Sequence, residues 1–422
     1  MPSQVLLAPG LIAGGVVAAG YPEKEPIKQE WGEWTGRFGV DWSPELAFTD
    51  KTMLYAFYSR GYKGGGANPP QPDFATMQDL EDMIDRGIWT REDYELAIEM
   101  NVFPILELTG VEYGPTFEPE FVNAFELGTK NTLLDGAMTL NLTAFYYDYT
   151  DYQVSQIRDR TAVNENFDAE AWGIEVETMF APSRDLQIIA NVGYLDTAIA
   201  NGESSIDIMN RTQGNPDFVL TKPWIQLPSN CVVPVAVAES WANSNDNNDV
   251  YWKMCGGYLG ILEALTPSAP IDPATGERYT PLRYDGSNGT VDINGGAGIR
   301  ADLGGNELPN APHWTANIGA QYGMDILDGW RATVRGDVYW QSQSYHRVYN
   351  YEPYDKLHGW YNANLSLWIE NEKGLKIELY AKNIFDKTPI TDAFLNSDDA
   401  ALTTNVFTLD PRLIGLSFRQ EF

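Results

Sequence analysis

Trp330-Arg331-Ala332-Thr333-Val334-Arg335-Gly336-Asp337-Val338-Tyr339-Trp340-Gln341 alternates apolar and polar side chains without a fault. One face carries Trp330, Ala332, Val334, Gly336, Val338 and Trp340, and the other carries Arg331, Thr333, Arg335, Asp337 and Gln341. A period of two is that of a β-strand with one wet and one greasy face. Ten residues at ~3.3 Å rise, tilted by ~40°, cover roughly 25 Å, the height of the apolar band between the aromatic girdles of an outer-membrane barrel. Strands of soluble sheets are usually only about 5–6 residues long. Length, and the tryptophans bracketing the apolar face, predict a membrane-spanning strand.

The same alternation recurs outward in both directions. Leu375, Ile377, Leu379 and Ala381 alternate with Lys376, Glu378, Tyr380 and Lys382; Leu186, Ile188, Ala190 and Val192 alternate with polar or small neighbours, and Phe38, Val40 and Trp42 do so near the start. Strands are predicted near 32–43, 52–60, 121–133, 137–150, 169–181, 185–198, 313–323, 329–344, 358–370, 374–384 and 411–422, about eleven in all. Short connections (44–51, 134–136, 182–184, 324–328, 371–373) alternate with long ones at 61–120, 151–168, 199–312, 345–357 and 385–410. Short periplasmic turns and long outer loops are the rule of transmembrane barrels. The last segment, Arg412 to Phe422, ends mid-strand on an aromatic, as suits a strand that must be paired to its end. The fold class expected is all-β: a transmembrane antiparallel up-and-down β-barrel with long extracellular loops. Ala332, Val334, Val338, Leu375, Ile377 and Leu379 are expected to face outward.

Composition agrees. The 422 residues carry a formal net charge of -31, which speaks against nucleic acid as a partner, because a phosphate backbone wants a basic stripe. Mean hydropathy is only -0.32, yet aromatics make up 13% of the chain. A barrel wall needs only every second residue to be apolar, so a polar average is compatible with the membrane. No apolar run reaches the ~18 residues of a spanning helix. Val5 to Gly20 is uncharged but interrupted by Pro9, Gly10, Gly14 and Gly15, and no basic residue precedes its apolar part as a signal peptide requires. Residues 1–31 are read as a loop remnant or N-terminal extension, and 32–422 as the barrel.

Four landmarks carry a family resemblance. Leu54-Tyr55-Ala56-Phe57-Tyr58-Ser59-Arg60-Gly61-Tyr62-Lys63-Gly64-Gly65-Gly66 resembles the YxxYSxGYKGGG stretch of TonB-dependent outer-membrane receptors. Phe121 to Lys130, with Glu126-Leu127-Gly128-Thr129-Lys130, is similar to that family's ELGxK strand. Tyr380-Ala381-Lys382-Asn383-Ile384-Phe385-Asp386-Lys387 looks like its NLFDK strand end, and Arg412 to Phe422 resembles its last strand. The family's barrel has 22 strands around a plugged lumen, so about eleven strands imply its C-terminal half. Geometry leads to the same expectation. In an up-and-down sheet with an odd strand count, the first and last strands run the same way and cannot close antiparallel. The resemblance implies a receptor/transporter in the cell outer membrane, taking up a scarce nutrient such as an iron–siderophore complex, cobalamin or oligosaccharide. Its implied partners are outer-membrane lipid, a small-molecule nutrient ligand, and the TonB complex through a plug domain not present in this chain. Two alternatives stay open: a passive porin-like barrel, and a soluble secreted β-rich carbohydrate-binding protein.

No enzyme is expected, and no cofactor. Gly61 to Gly66 lacks the spacing of a phosphate loop, Asn243–Asp249 and Asp285–Asn294 fail the EF-hand register, and His313, His346 and His358 show no metal-ligand spacing. The two cysteines, Cys231 and Cys255, fall in one long outer loop, where an oxidising compartment favours a disulfide. Phe74, Met77, Leu80, Met83 and Ile84 follow helical spacing, and a second short helix is expected from Thr90 to Met100. The candidate ligand-binding residues are Tyr345, His346, Arg347, Tyr349 and Tyr351, at the rim beyond the 329–344 strand. Tyrosines supply amphipathic contact area there, and Arg347 supplies a fork for carboxylate or catecholate oxygens.

Overall fold

The computed structural model describes residues 27–68, 116–158, 161–221, 231–242, 271–277, 279, 283–397 and 401–421. Eleven strands form one antiparallel sheet, each beside its neighbour in sequence: β1 (Gly36–Trp42), β2 (Lys51–Lys63), β3 (Glu120–Leu133), β4 (Met138–Arg158), β5 (Thr161–Phe180), β6 (Leu186–Ile199), β7 (Trp314–Leu327), β8 (Trp330–Gln341), β9 (Trp360–Asn371), β10 (Leu375–Lys382) and β11 (Leu413–Gln420). Among the described residues β1 and β11 are each paired on one side only, and the sheet is not closed. The helical segment expected within 74–100 lies outside the described residues.

Register turns eleven amphipathic strands into one two-faced wall. Leu186, Tyr322, Val334, Leu367, Leu379 and Leu416 are cross-strand partners in a single apolar row over six strands. One residue along, the row is Gln187, Gln321, Arg335, Ser366, Tyr380 and Gly415. The apolar row is bare: Val334 is 40%, Leu367 48%, Leu379 51% and Leu416 59% exposed. Among the described residues neither a second sheet nor a helix covers it, so water is not the medium that this face is built for. Ala332, Val338 and Ile377 belong to the same outward face, as expected. On the inner face, rings lie over glycines of the adjacent strand, Tyr55 over Gly128 and Tyr380 over Gly415, where a Cβ would collide with the ring. Among the described residues no helix is long and apolar enough to cross a membrane.

Tight turns close one end of the wall. Asp328-Gly329 joins β7 to β8 with Gly329 at φ 69°, and Leu134, Asp135 and Gly136 all have positive φ between β3 and β4, as right-twisted hairpins require. The other end carries the long loops, with one departure from expectation. Residues 151–158 and 161–168 are strand and not loop. β4 and β5, of 21 and 20 residues, continue through them as a tall hairpin. A register shift between Tyr149 and Tyr152, with Asp151 at φ 56°, marks where the hairpin leaves the wall. Polar ladders hold its upper part, including Asn166 Nδ2 donating to Asp151 O at 2.8 Å and Asn68 pairing with the Asn164 backbone.

Burial is concentrated in this outer layer. Val154, Phe167, Ala169, Ile199, Leu303, Leu308, Ala311 and Val348 form a closed apolar cluster contributed by the tall hairpin, the 200–313 loop and the 342–359 loop. Two-stranded ribbons brace the loops: Ser204–Ser205 with Ala301–Asp302, Ser344–Tyr345 with Lys356–Leu357, and Ile390–Leu395 with Thr404–Thr408. A further ribbon, Phe218–Thr221 with Cys231–Pro234, leads into helix α1 (Val235–Ala242).

Candidate ligand-recognition site

The five residues expected at the rim do sit together, in the loop between β8 and β9, but they face different ways. Arg347 is buried. Its Nη1 lies 2.6 Å from Asp207 and its Nε 2.7 Å from Asp355, carboxylates 3% and 0% exposed. Burial works against the guanidinium charge, but the two aspartates outweigh it and hold Arg347 above its ordinary pKa. The fork expected to meet incoming oxygens is thus filled from within. The His346 ring is enclosed too, with Nε2 3.7 Å from Asp355 and Nδ1 without a hydrogen-bond partner among the described residues. The Tyr349 hydroxyl lies 2.7 Å from the Ile206 carbonyl and 2.9 Å from Gln156 Oε1, tying the loop to the tall hairpin. Tyr345 donates to Glu352 at 2.9 Å. Burial, and then that carboxylate, push its phenol up to about 12.

Tyr351 differs. It stacks on Tyr354, with ring centroids 5.7 Å apart and planes 10° from parallel, and both rings are exposed. Tyr354 was not among the expected residues; its spacing of three from Tyr351 within a turn was the only available signal. Cys231 is buried and disulfide-bonded; Cys255, its expected partner, lies outside the described residues. His313 closes the 200–313 loop onto β6, with Nδ1 2.9 Å from Leu195 O and Nε2 3.1 Å from Glu307.

Below the rim, the inner face of β6 to β9 presents two cross-strand rows. Gly193, Thr315, Gln341 and Trp360 form the upper one, and Asn191, Asn317, Tyr339 and Asn362 the lower. Trp360 packs on Tyr339 with centroids 5.2 Å apart. Asn191 and Asn317 are exposed on this face. Glu175 and Glu177 of β5 continue the same rows, both exposed. Sequence alternation places these residues inward, but only register brings amides from four strands side by side.

A family model described as TonB dependent receptor-like, beta-barrel matches residues 14–253, more than half of the chain. The chain belongs to this family. Among solved structures, this receptor-family barrel resembles the ferric yersiniabactin uptake receptor FyuA from Yersinia pestis, at a TM-score of 0.50 and 14% identity, covering 92% of this chain and 37% of that one. The siderophore receptor PiuA from Acinetobacter baumannii is similar at a TM-score of 0.48 and 14% identity, with 92% and 35% covered. The chain therefore spans little more than a third of the length of these structures. At such identity the likeness concerns the fold of the receptor-family barrel alone.

Proposed function

We propose that the chain forms the C-terminal part of an outer-membrane receptor for TonB-energised uptake of a scarce nutrient. The observation that carries this reading is the two-faced wall. A bare apolar row faces out, a polar row faces in, and a packed loop layer stands at one end only. A lipid-facing exterior, a polar lumen and an outer recognition layer are the parts an uptake barrel needs. Membership of the TonB-dependent receptor-like family supports it further. The remaining strands, the plug and the link to the TonB complex belong, on this reading, to the rest of the receptor. Covalent chemistry has no part in it. The bare apolar face disfavours a soluble carbohydrate-binding protein. A passive porin differs in its energy source, so the experiment turns on that. The full-length gene is expressed in cells with and without TonB, and entry of large nutrients is followed. Entry that requires TonB is expected; entry unaffected by its loss would leave a porin.

A further inference from the structure

Among the described residues, the two inner rows nearest the rim are polar and hold no positive charge from β4 to β9. Across β4 to β9 the two rows below the rim contain asparagines, a glutamine, threonines, a tyrosine, a tryptophan and the carboxylates Glu175 and Glu177, and no lysine or arginine. The first cation along them is Lys130 on β3. The one arginine of the overlying 342–359 loop, Arg347, already has both ion-pair directions filled by Asp207 and Asp355. A polyanionic metal chelate held at these two rows would lose hydration beside carboxylates and meet no guanidinium fork in them to replace it; the nearest inward arginine of β8 is Arg335, two inward positions below Tyr339. The full sequence, at -31, adds long-range repulsion.

What the patch does offer is uncharged. Each amide presents both donors and an acceptor, and the Asn191 and Asn317 amides make no hydrogen bond to a described residue, while exposed on the inner face. Gln341 Oε1 accepts from Tyr339 at 3.0 Å, which turns its NH2 group outward from that bond. Trp360 Nε1 and Asn362 Oδ1 are buried and make no hydrogen bond to a described residue, so the wall offers a ligand the Trp360 ring rather than these two atoms. Large aromatic faces next to paired donors and acceptors suit a ligand with apolar ring faces and hydroxyl edges. The stacked Tyr351 and Tyr354 stand in the loop that begins directly after Gln341 and ends directly before Trp360, so exposed aromatics continue the surface upward.

We infer that the substrate class is a neutral polyhydroxylated molecule, an oligosaccharide or glycoside, bound by Asn191, Asn317, Tyr339, Gln341 and Trp360. This rests on the uptake-receptor reading above and names its ligand chemistry. The test uses the full-length receptor in detergent, titrated by calorimetry with maltopentaose, cellopentaose and xylopentaose, and separately with a trianionic ferric tris-catecholate complex. At least one pentasaccharide should bind, and Trp360→Ala and Asn317→Ala should each weaken it by about tenfold, the loss expected for one stacked aromatic or one buried polar contact. Trp360→Phe should retain most of the affinity. Binding of none of the three sugars overturns the inference, as does ferric-complex binding tighter than every sugar, or sugar affinity unchanged in both alanine variants. Uptake in cells with and without TonB separates the two claims. TonB-dependent entry of the ferric complex alone keeps the receptor and removes the sugar; sugar entry indifferent to TonB keeps the sugar and removes the energised receptor.

Discussion

Arg347 holds two buried aspartates that would otherwise face each other uncompensated. Removing one member of such an arrangement is far costlier than the net worth of the pair, about 3–5 kcal/mol, because a charge is stranded. Arg347→Met is therefore expected to loosen the outer layer while leaving the wall intact. Amide exchange at Ile206 and Val348 should accelerate strongly, with exchange in β8 and β9 unchanged. His313 offers a milder control at the other end of the same layer. Burial lowers its affinity for a proton, but the Leu195 carbonyl, Glu307 and Asp196 more than compensate, and its folded pKa lies above 6.5. A raised folded value favours the protonated ring in the folded state. Its stabilisation is complete below the unfolded-state pKa and disappears as pH rises through the folded one. Protection factors at residues 307–313, with the intrinsic pH dependence of exchange divided out, should be higher at pH 5.5 than at pH 8, and His313→Gln should abolish the difference. Tyrosines and an arginine at the rim were readable from the sequence. That the arginine serves the fold was not, since Asp207 lies 140 residues away and only the packed loops bring it within reach.

The tall hairpin of β4 and β5 is the element that departs most from its sequence. Asp151, Asp159, Asn164, Asn166 and Asp168 read as a solvated loop, since such residues favour turns by bonding their own backbone. Here the Asn164, Asn166 and Asp168 side chains bond across strands instead, and the ladder wins. The bulge pins the transition. At φ 56°, Asp151 occupies a left-handed conformation that short polar residues and glycine tolerate and β-branched ones do not. Asp151→Val should destabilise the hairpin by about 1–2 kcal/mol, and Asp151→Gly should be close to neutral. Limited proteolysis of the hairpin on intact cells measures the difference. The wall strands, by contrast, were legible to within a few residues. Their period of two is imposed by two different solvents on two faces, and no tertiary contact overrides it.

For the whole molecule, the decisive contrast is between adjacent residues on opposite faces. Leu367 lies in the outward apolar row and Ser366 in the inward polar one. Leu367→Arg should impair insertion, with a cost of about 2–4 kcal/mol if the position lies near the bilayer midplane. Ser366→Arg, carrying the same side chain one residue away, should fold as the parent does. Heat-modifiable mobility of the full-length receptor in gels reads both.

The closed cluster in the loop layer has a consequence for biogenesis. Its members come from Phe167, Ile199, Leu303 and Val348, on chain segments separated by four crossings of the wall. They can meet only after each of those strands has crossed and delivered its loop to the same side. An antibody fragment selected against the assembled surface around Tyr351 and Tyr354 would therefore ignore stalled or partly threaded chains, and its binding to living cells would time the completion of insertion.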